Sequence, residues 1–150
     1  MVDILRGPVD LLGIRVEGSI TAANGEVAIF SVAGGFIKIN SLVGIVTTEI
    51  GGTVSAAKIV ANPTATGSTS DLCGASNVEG DIVGTLYSVR LGTTSQALRV
   101  AEGGVLGSEG TAYIITGAIA MNFSADPTAG VIRWVLHYLP VDLGASVVAA

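Results

Sequence analysis

His137 is the one histidine of the chain and the first residue that could act as a general base. That role needs an orienting carboxylate and a nucleophile within hydrogen-bond reach. Asp126 and Asp142 are close to His137 in sequence, but their spacing does not place either of them beside the imidazole. We therefore expect His137 to be an outward-facing histidine on a strand, without a catalytic role.

Cys73 is the one cysteine. A reactive thiol needs positively charged surroundings that lower its pKa, whereas the neighbouring charges come from Asp71, Glu79 and Asp81 and would raise that pKa. The sequence therefore predicts a small, buried and unreactive cysteine. A lone cysteine also excludes a disulfide within the chain, and with a single histidine it excludes a cysteine-based metal cage.

Two further patterns are weak candidates for a binding site. Asp71, Asn77, Glu79 and Asp81 could supply oxygen ligands to Ca²⁺, but their spacing is not that of an EF-hand loop. The glycine-rich segment 103–110 matches neither a P-loop nor GxGxxG, and we interpret it as a turn. We predict no catalytic, cofactor-binding or metal-binding residues, and a protein that is not an enzyme.

The charge content limits the classes of partner. The chain has 150 residues with 7 basic and 12 acidic side chains, and its formal net charge is −5. Charged residues make up 13 % of the chain, against roughly 25 % in an ordinary soluble domain. The acidic balance and the lack of a basic cluster argue against nucleic acid as a partner. Asp3 and Arg6 interrupt any signal-peptide core, so we expect synthesis in the cytoplasm.

The shortage of charge also bears on the surface. A folded monomer of this mass exposes roughly 7,000 Å², which so few charged side chains cover poorly. We therefore expect an exterior rich in Ala, Val, Thr, Ser and Gly that is buried in an assembly, since large apolar patches usually mark contact sites. A compact monomer with a Thr/Ser/Ala exterior is the alternative. The charge-free segment 110–125 is too short and too polar for a membrane helix, so no membrane association is expected.

The elements that position these residues have a hydrophobic period of two, which is typical of strands. In segment 14–20 apolar residues and Gly18 alternate with polar ones. Segment 36–50 is long for one strand, and Gly44 is expected to mark a bulge or bend in it. Segment 111–123 is predicted to be one strand with Tyr113 and Ile115 on its core face.

The last strong pattern, in segment 131–139, places Trp134 and Tyr138 on the core face of a strand. Gly, Asn and Pro turns separate eight or nine such strands, and no segment has the pattern of an amphipathic helix. We predict an all-β, single-domain antiparallel β-sandwich with a jelly-roll-like arrangement. Its expected boundaries are an N-terminal arm over residues 1–10, a sandwich over 11–145 and an uncharged C-terminal tail over 146–150.

Several ordered motifs resemble those of small virion structural proteins of tailed bacteriophages, over roughly Ile14 to the C-terminus. The motifs are Gly35-Phe36-Ile37-Lys38-Ile39, Leu42-Val43-Gly44-Ile45-Val46-Thr47-Thr48, Lys58-Ile59-Val60-Ala61-Asn62-Pro63-Thr64, Asp71-Leu72-Cys73, Gly84-Thr85-Leu86-Tyr87 and the stretch from Ile132-Arg133-Trp134 to Leu143-Gly144-Ala145. The resemblance implies a component of the phage particle, best matched by capsid decoration (cement) proteins, and it transfers no site residues.

A cement protein would be a small symmetric homo-oligomer, with a trimer slightly preferred over a dimer, that binds the major capsid protein on the capsid surface. Two alternatives stay open: a head-fibre, tail or baseplate component, and a small carbohydrate-binding β-sandwich. Residues 1–8 are either an arm that adds a strand to a neighbour's sheet or a frayed terminus.

Overall fold

A computed structural model of the chain describes residues 13–52, 55–64, 68–91, 97–101 and 110–150. The predicted N-terminal arm and all of the glycine-rich segment except Gly110 lie outside these residues. The described strands are β1 Ile14–Thr21, β2 Gly25–Ala33, β3 Ile37–Thr48, β4 Ala56–Pro63, β5 Ser70–Asp71, β6 Ser76–Asn77, β7 Leu86–Ser88, β8 Arg99–Ala101, β9 Ala112–Ile114, β10 Gly117–Phe123, β11 Val131–Pro140 and β12 Ser146–Ala149. The described residues include no helix long and apolar enough to cross a membrane.

The strands form two six-stranded sheets. The first sheet has the order β1-β11-β3-β7-β8, with β9 also paired to β3, and the second has the order β12-β2-β10-β4-β5, with β6 also paired to β4. All pairs of these strands are antiparallel. From β1 to β4, and again from β10 to β12, successive strands alternate between the two sheets, as they do in a jelly roll. The predicted β-sandwich is therefore confirmed.

The number of strands exceeds the predicted eight or nine. Two of the additional ones, β5 and β6, have two residues each and lie in segment 62–80, whose content of Pro, Thr, Ser and Gly predicts a long loop. Two residues cannot display a period of two, so their pairing with β4 has no signature in the hydrophobic pattern.

The predicted C-terminal tail is also wrong in part. Residues 146–149 form β12, which pairs with β2 along the edge of the second sheet. Val147 is buried, and its backbone N–H donates to the Tyr138 hydroxyl at 3.2 Å. Four residues with one buried side chain are too few for an alternating pattern to identify a strand. β12 forms because the edge of β2 is available for pairing.

The core is centred on Trp134, which is fully buried on β11. Its neighbours in register are Gly18 on β1 and Gly44 on β3, and Tyr87 on β7 lies opposite Gly44. The Tyr87 and Trp134 ring centroids are 6.1 Å apart. β3 runs unbroken through Gly44, so this glycine does not mark the bulge that the sequence predicts. It leaves space for the indole of Trp134 instead.

A buried polar contact fixes the loop that precedes β7. The Tyr87 hydroxyl donates to Asp81 Oδ2 at 2.6 Å, and both residues are buried. Burial and the Asp81 carboxylate raise the pKa of Tyr87, so it stays protonated and keeps donating. The same loop is joined to the end of β3 by backbone bonds, including one from Ile50 N–H to the Asp81 carbonyl.

We predict that Gly44→Ala destabilises the fold by about 1–3 kcal/mol, the usual cost of overpacking a core. The added Cβ would lie 3.0 Å from three atoms of the Trp134 ring, which is enclosed and cannot move aside. Urea unfolding measures the loss. Gly52→Ala is the matched control, because a Cβ there meets nothing within 4 Å. Equal stability of the two variants would contradict this account of Gly44.

Tyr87→Phe is expected to lower the free energy of unfolding by about 1–3 kcal/mol, because it removes a hydrogen bond to a buried carboxylate. Tyr113→Phe serves as the control, since Tyr113 is 63 % exposed and substitutions at exposed sites usually change stability little. Thermal unfolding followed by circular dichroism measures both variants. A Tyr87→Phe protein as stable as the control would show that the hydroxyl contributes nothing.

Candidate functional site at one end of the sandwich

One end of the sandwich gathers the turns that join β2 to β3, β9 to β10 and β11 to β12. Three backbone and side-chain bonds hold these turns together. The Phe36 N–H donates to Asp142 Oδ2 at 3.0 Å, the Val141 N–H donates to the Phe36 carbonyl at 3.1 Å, and the Thr116 hydroxyl donates to the Gly35 carbonyl at 3.4 Å. The turns therefore form a fixed surface.

Gly35 shows how closely the turns approach one another. Its φ is +141°, in a region that favours glycine, and a Cβ added there would lie 2.5 Å from Cβ of Asp142. The absence of a side chain thus lets the Asp142 carboxylate accept the Phe36 N–H. This bond fixes the β11–β12 turn against the start of β3.

The end of β11 and the β11–β12 turn present apolar side chains to solvent. Leu143 is 103 % exposed and Val141 45 % on the turn, and Leu139 is 40 % exposed near the end of β11. We call these three residues the apolar turn. Exposed leucines and valines are common singly, but three of them within five residues of chain are typical of a contact surface.

A cleft opens on the other side of the same end, between β4, β5 and the β9–β10 turn. Its volume is about 270 Å³, and we call it the side cleft. The residues that line it are Ala61, Asn62, Pro63, Ser68, Ser70, Leu72, Tyr113, Ile114, Ile115 and Ala118. A second, smaller pocket of about 200 Å³ adjoins it at Ile115 and is bordered by Phe36 and Asp142.

The cleft exposes a tyrosine that the sequence places on the core face. The prediction of one strand over 111–123 is wrong, because β9 ends at Ile114 and β10 begins at Gly117. The interruption shifts the alternation by one residue, so Ile114 is buried while Tyr113 and Ile115 are exposed. The sequence does contain a sign of this interruption, because a glycine inside a strand pattern often marks an irregularity. That glycine is Gly117, whose φ in the structure is +152°.

His137 lies where the sequence predicts, on the outer face of the first sheet. Its neighbours in register are Arg15 on β1 and Ser41 on β3. Neither nearby aspartate orients it: Asp126 accepts the Asn24 N–H at the opposite end of the sandwich, and Asp142 accepts the Phe36 N–H. Partial burial, and to a smaller extent the charge of Arg15, lower the pKa of His137. These surroundings give no support for a general base.

Cys73 is fully buried, as predicted, and its Sγ accepts the Ile59 N–H at 3.2 Å. Burial raises the pKa of its thiol, which keeps the thiol protonated and unreactive. The bond to Ile59 instead fixes segment 72–74 against β4.

The residues considered for Ca²⁺ make contacts at separate places. Lys58 Nζ lies 2.9 Å from the Asp71 carboxylate, and Asp81 is buried against Tyr87. The Asn77 side-chain oxygen accepts the Glu79 N–H at 3.1 Å. Within the part of the chain that the structure describes, no three His, Cys, Asp or Glu side chains are grouped so that they could hold a metal ion.

We predict that the pKa of His137 lies below its ordinary value of 6.5. Because the folded pKa is the lower one, the unfolded chain binds the proton more readily. The free energy of unfolding therefore falls as the pH drops from 6.5 towards the folded pKa. An NMR titration of the imidazole protons measures this value, and Arg15→Gln should raise the pKa only in part, because burial is the larger cause. A value above 6.5 would indicate a carboxylate partner and contradict the assignment.

Comparisons with known proteins identify no relative of this chain. No family model matches the sequence, and no curated protein or solved structure matches it. The assignment of function therefore depends on the residues and geometry of this chain.

Proposed function

We propose that this chain is a structural protein of a tailed-bacteriophage particle, and specifically a capsid decoration (cement) protein. In this role it binds the outer shell as a homo-oligomer and stabilises contacts between major capsid subunits. The observation that carries the proposal is the apolar turn, a fixed hydrophobic surface on a protein with few charges. The resemblance of segments such as 35–39 and 132–145 to small virion proteins supports the same assignment.

The apolar turn suits a contact between proteins because it is ordered before binding. Leu143 follows Asp142, whose carboxylate and backbone are both hydrogen-bonded to Phe36. Little conformational entropy is then lost when a partner covers the turn. Burial of apolar area gives roughly 25 cal/mol per Å² before association costs are subtracted. Repetition of a weak contact over a shell lattice adds avidity.

The proposal assigns no catalytic part to His137 or Cys73. His137 is paired in register with Arg15, and Cys73 accepts the Ile59 N–H. The jelly roll is compatible with the proposal, since viral capsid domains use it, but lectins and cupins use it too. The fold alone therefore does not decide the function.

A closed shell gains stability from a ligand that binds only the assembled state. A protein that contacts two neighbouring capsid subunits meets this condition, because separated subunits offer half of its site. Head-fibre, tail and baseplate components could use the same turn, but they would be present in few copies. Position and copy number on the particle therefore separate these roles.

Cryo-electron microscopy of the particle that contains this chain is the direct test. We expect density for the sandwich at regular lattice positions, with Leu143 facing the shell. Absence from the shell lattice would overturn the cement assignment, and a few copies at the tail or vertices would favour the alternative role.

A binding assay with capsid shells that lack this protein tests whether the apolar turn is the contact surface. We expect Leu143→Asp to weaken binding about tenfold or more, because it places a charge in an apolar contact. Ile82→Asp is the matched control, since Ile82 is 52 % exposed and lies near the other end of β3. If both variants bind like the unmodified protein, the apolar turn is not the contact surface.

A further inference from the structure

We infer that the side cleft binds a neutral saccharide, with one sugar face stacked on the ring of Tyr113. This site lies beyond the proposed contact with the shell and does not depend on it. The apolar turn follows β11 and the side cleft borders β9, and these two strands flank β3 on opposite sides. The smaller pocket, bordered by Ile115 and Asp142, lies between them.

The aromatic residues of the chain are unevenly distributed between the core and the surface. The chain has seven of them, and five are buried in the core: Phe30, Tyr87, Phe123, Trp134 and Tyr138. The other two, Phe36 and Tyr113, lie together with ring centroids 6.3 Å apart. Tyr113 is 63 % exposed and lines the cleft. An exposed aromatic beside a cleft offers an apolar platform with a polar tip, which matches the apolar face and hydroxyl rim of a sugar ring.

The polar groups of the cleft select the class of ligand. Ser68 and Ser70 supply two hydroxyls, which can donate and accept hydrogen bonds. Asn62 supplies an amide whose Nδ2 also donates to the Glu26 carboxylate at 3.4 Å. None of the described residues that line the cleft is charged, although Glu26 accepts this amide N–H and Lys38 is paired in register with Tyr113. An anionic ligand would also meet Glu26 and a cationic one Lys38, so either loses hydration without a favourable net charge around it, whereas a neutral polyhydroxylated ligand needs only hydrogen bonds.

The size of the cleft limits the ligand to a few rings. Its volume of about 270 Å³ is slightly below the roughly 300–1,000 Å³ typical of pockets for drug-sized molecules. A terminal sugar or a short oligosaccharide end fits this range.

The walls of the cleft are fixed to each other by backbone contacts. The Thr64 N–H donates to the Thr116 carbonyl at 3.2 Å, and Pro63 on β4 pairs in register with Gly117 on β10. Tyr113 is paired with Lys38 on β3. The amide of Asn62 and the ring of Tyr113 thus belong to strands that are tied together, so the site needs little reorganisation to bind.

Saturation-transfer NMR and calorimetry on the purified protein test the inference. The probes are maltotriose, cellotriose, chitotriose and lactose, each up to about 10 mM so that millimolar dissociation constants are detected. Sialyllactose is the charged comparator for lactose. We expect at least one neutral probe to bind, and Tyr113→Ala to weaken that binding about three- to tenfold, as expected for loss of an aromatic contact.

Two variants test whether saccharide binding depends on the aromatic ring at position 113 and is independent of the apolar turn. Tyr113→Trp should restore binding that Tyr113→Ala loses, because it keeps an aromatic platform. Leu143→Asp should bind saccharide like the unmodified protein, so a failure of the shell contact and a failure of the saccharide site give different patterns. The inference is overturned if no neutral probe binds, if sialyllactose binds more tightly than lactose, or if Tyr113→Ala binds as well as the unmodified protein.

Discussion

The packing of Trp134 against Gly44 on the neighbouring strand β3 is the constraint on which the rest of the structure depends. β11 lies between β1 and β3, and a slip of one residue would turn every side chain of a strand to the opposite face. Gly44 offers space for the indole only in the observed register, whereas Gly18 lets β1 approach Ile29 and Phe30 of the second sheet. The indole Nε1 is buried and has no hydrogen-bond partner among the described residues, so the Trp134 side chain contributes to this register through packing, beside the backbone hydrogen bonds of the two ladders.

The same strand, β11, connects this register to the end of the molecule that carries the apolar turn. Four residues after Trp134, the Tyr138 hydroxyl accepts the Val147 N–H and joins the two sheets. Between these two points the chain leaves the sandwich as the turn that carries Leu143. Because both ends of the turn are fixed, its exposed side chains have defined positions. Binding residues commonly lie on such turns, where a rigid scaffold orients them.

The sequence predicts the parts of this fold in which alternation extends over many residues. The buried faces of β1 and β11, including Trp134 and Tyr138, follow from a period of two. The side cleft was not predictable in the same way, because it depends on the interruption of the strand pattern at Gly117. The position of Tyr113 changes from core to surface with that one irregularity. β12 and the two-residue strands are determined by the edges available to them, which are features of the tertiary structure.

The positions of the exposed residues show which parts of the surface lack charge. On the outer face of β1 and β11, Arg15 and Arg133 both contact the Glu17 carboxylate, at 2.6 and 3.5 Å. Many of the exposed large apolar side chains lie instead at the ends of the sandwich, and Val148 on β12 is an exception. The shortage of charge is therefore most evident at the ends of the sandwich, and the end that carries Leu143 is the one that the proposed role uses.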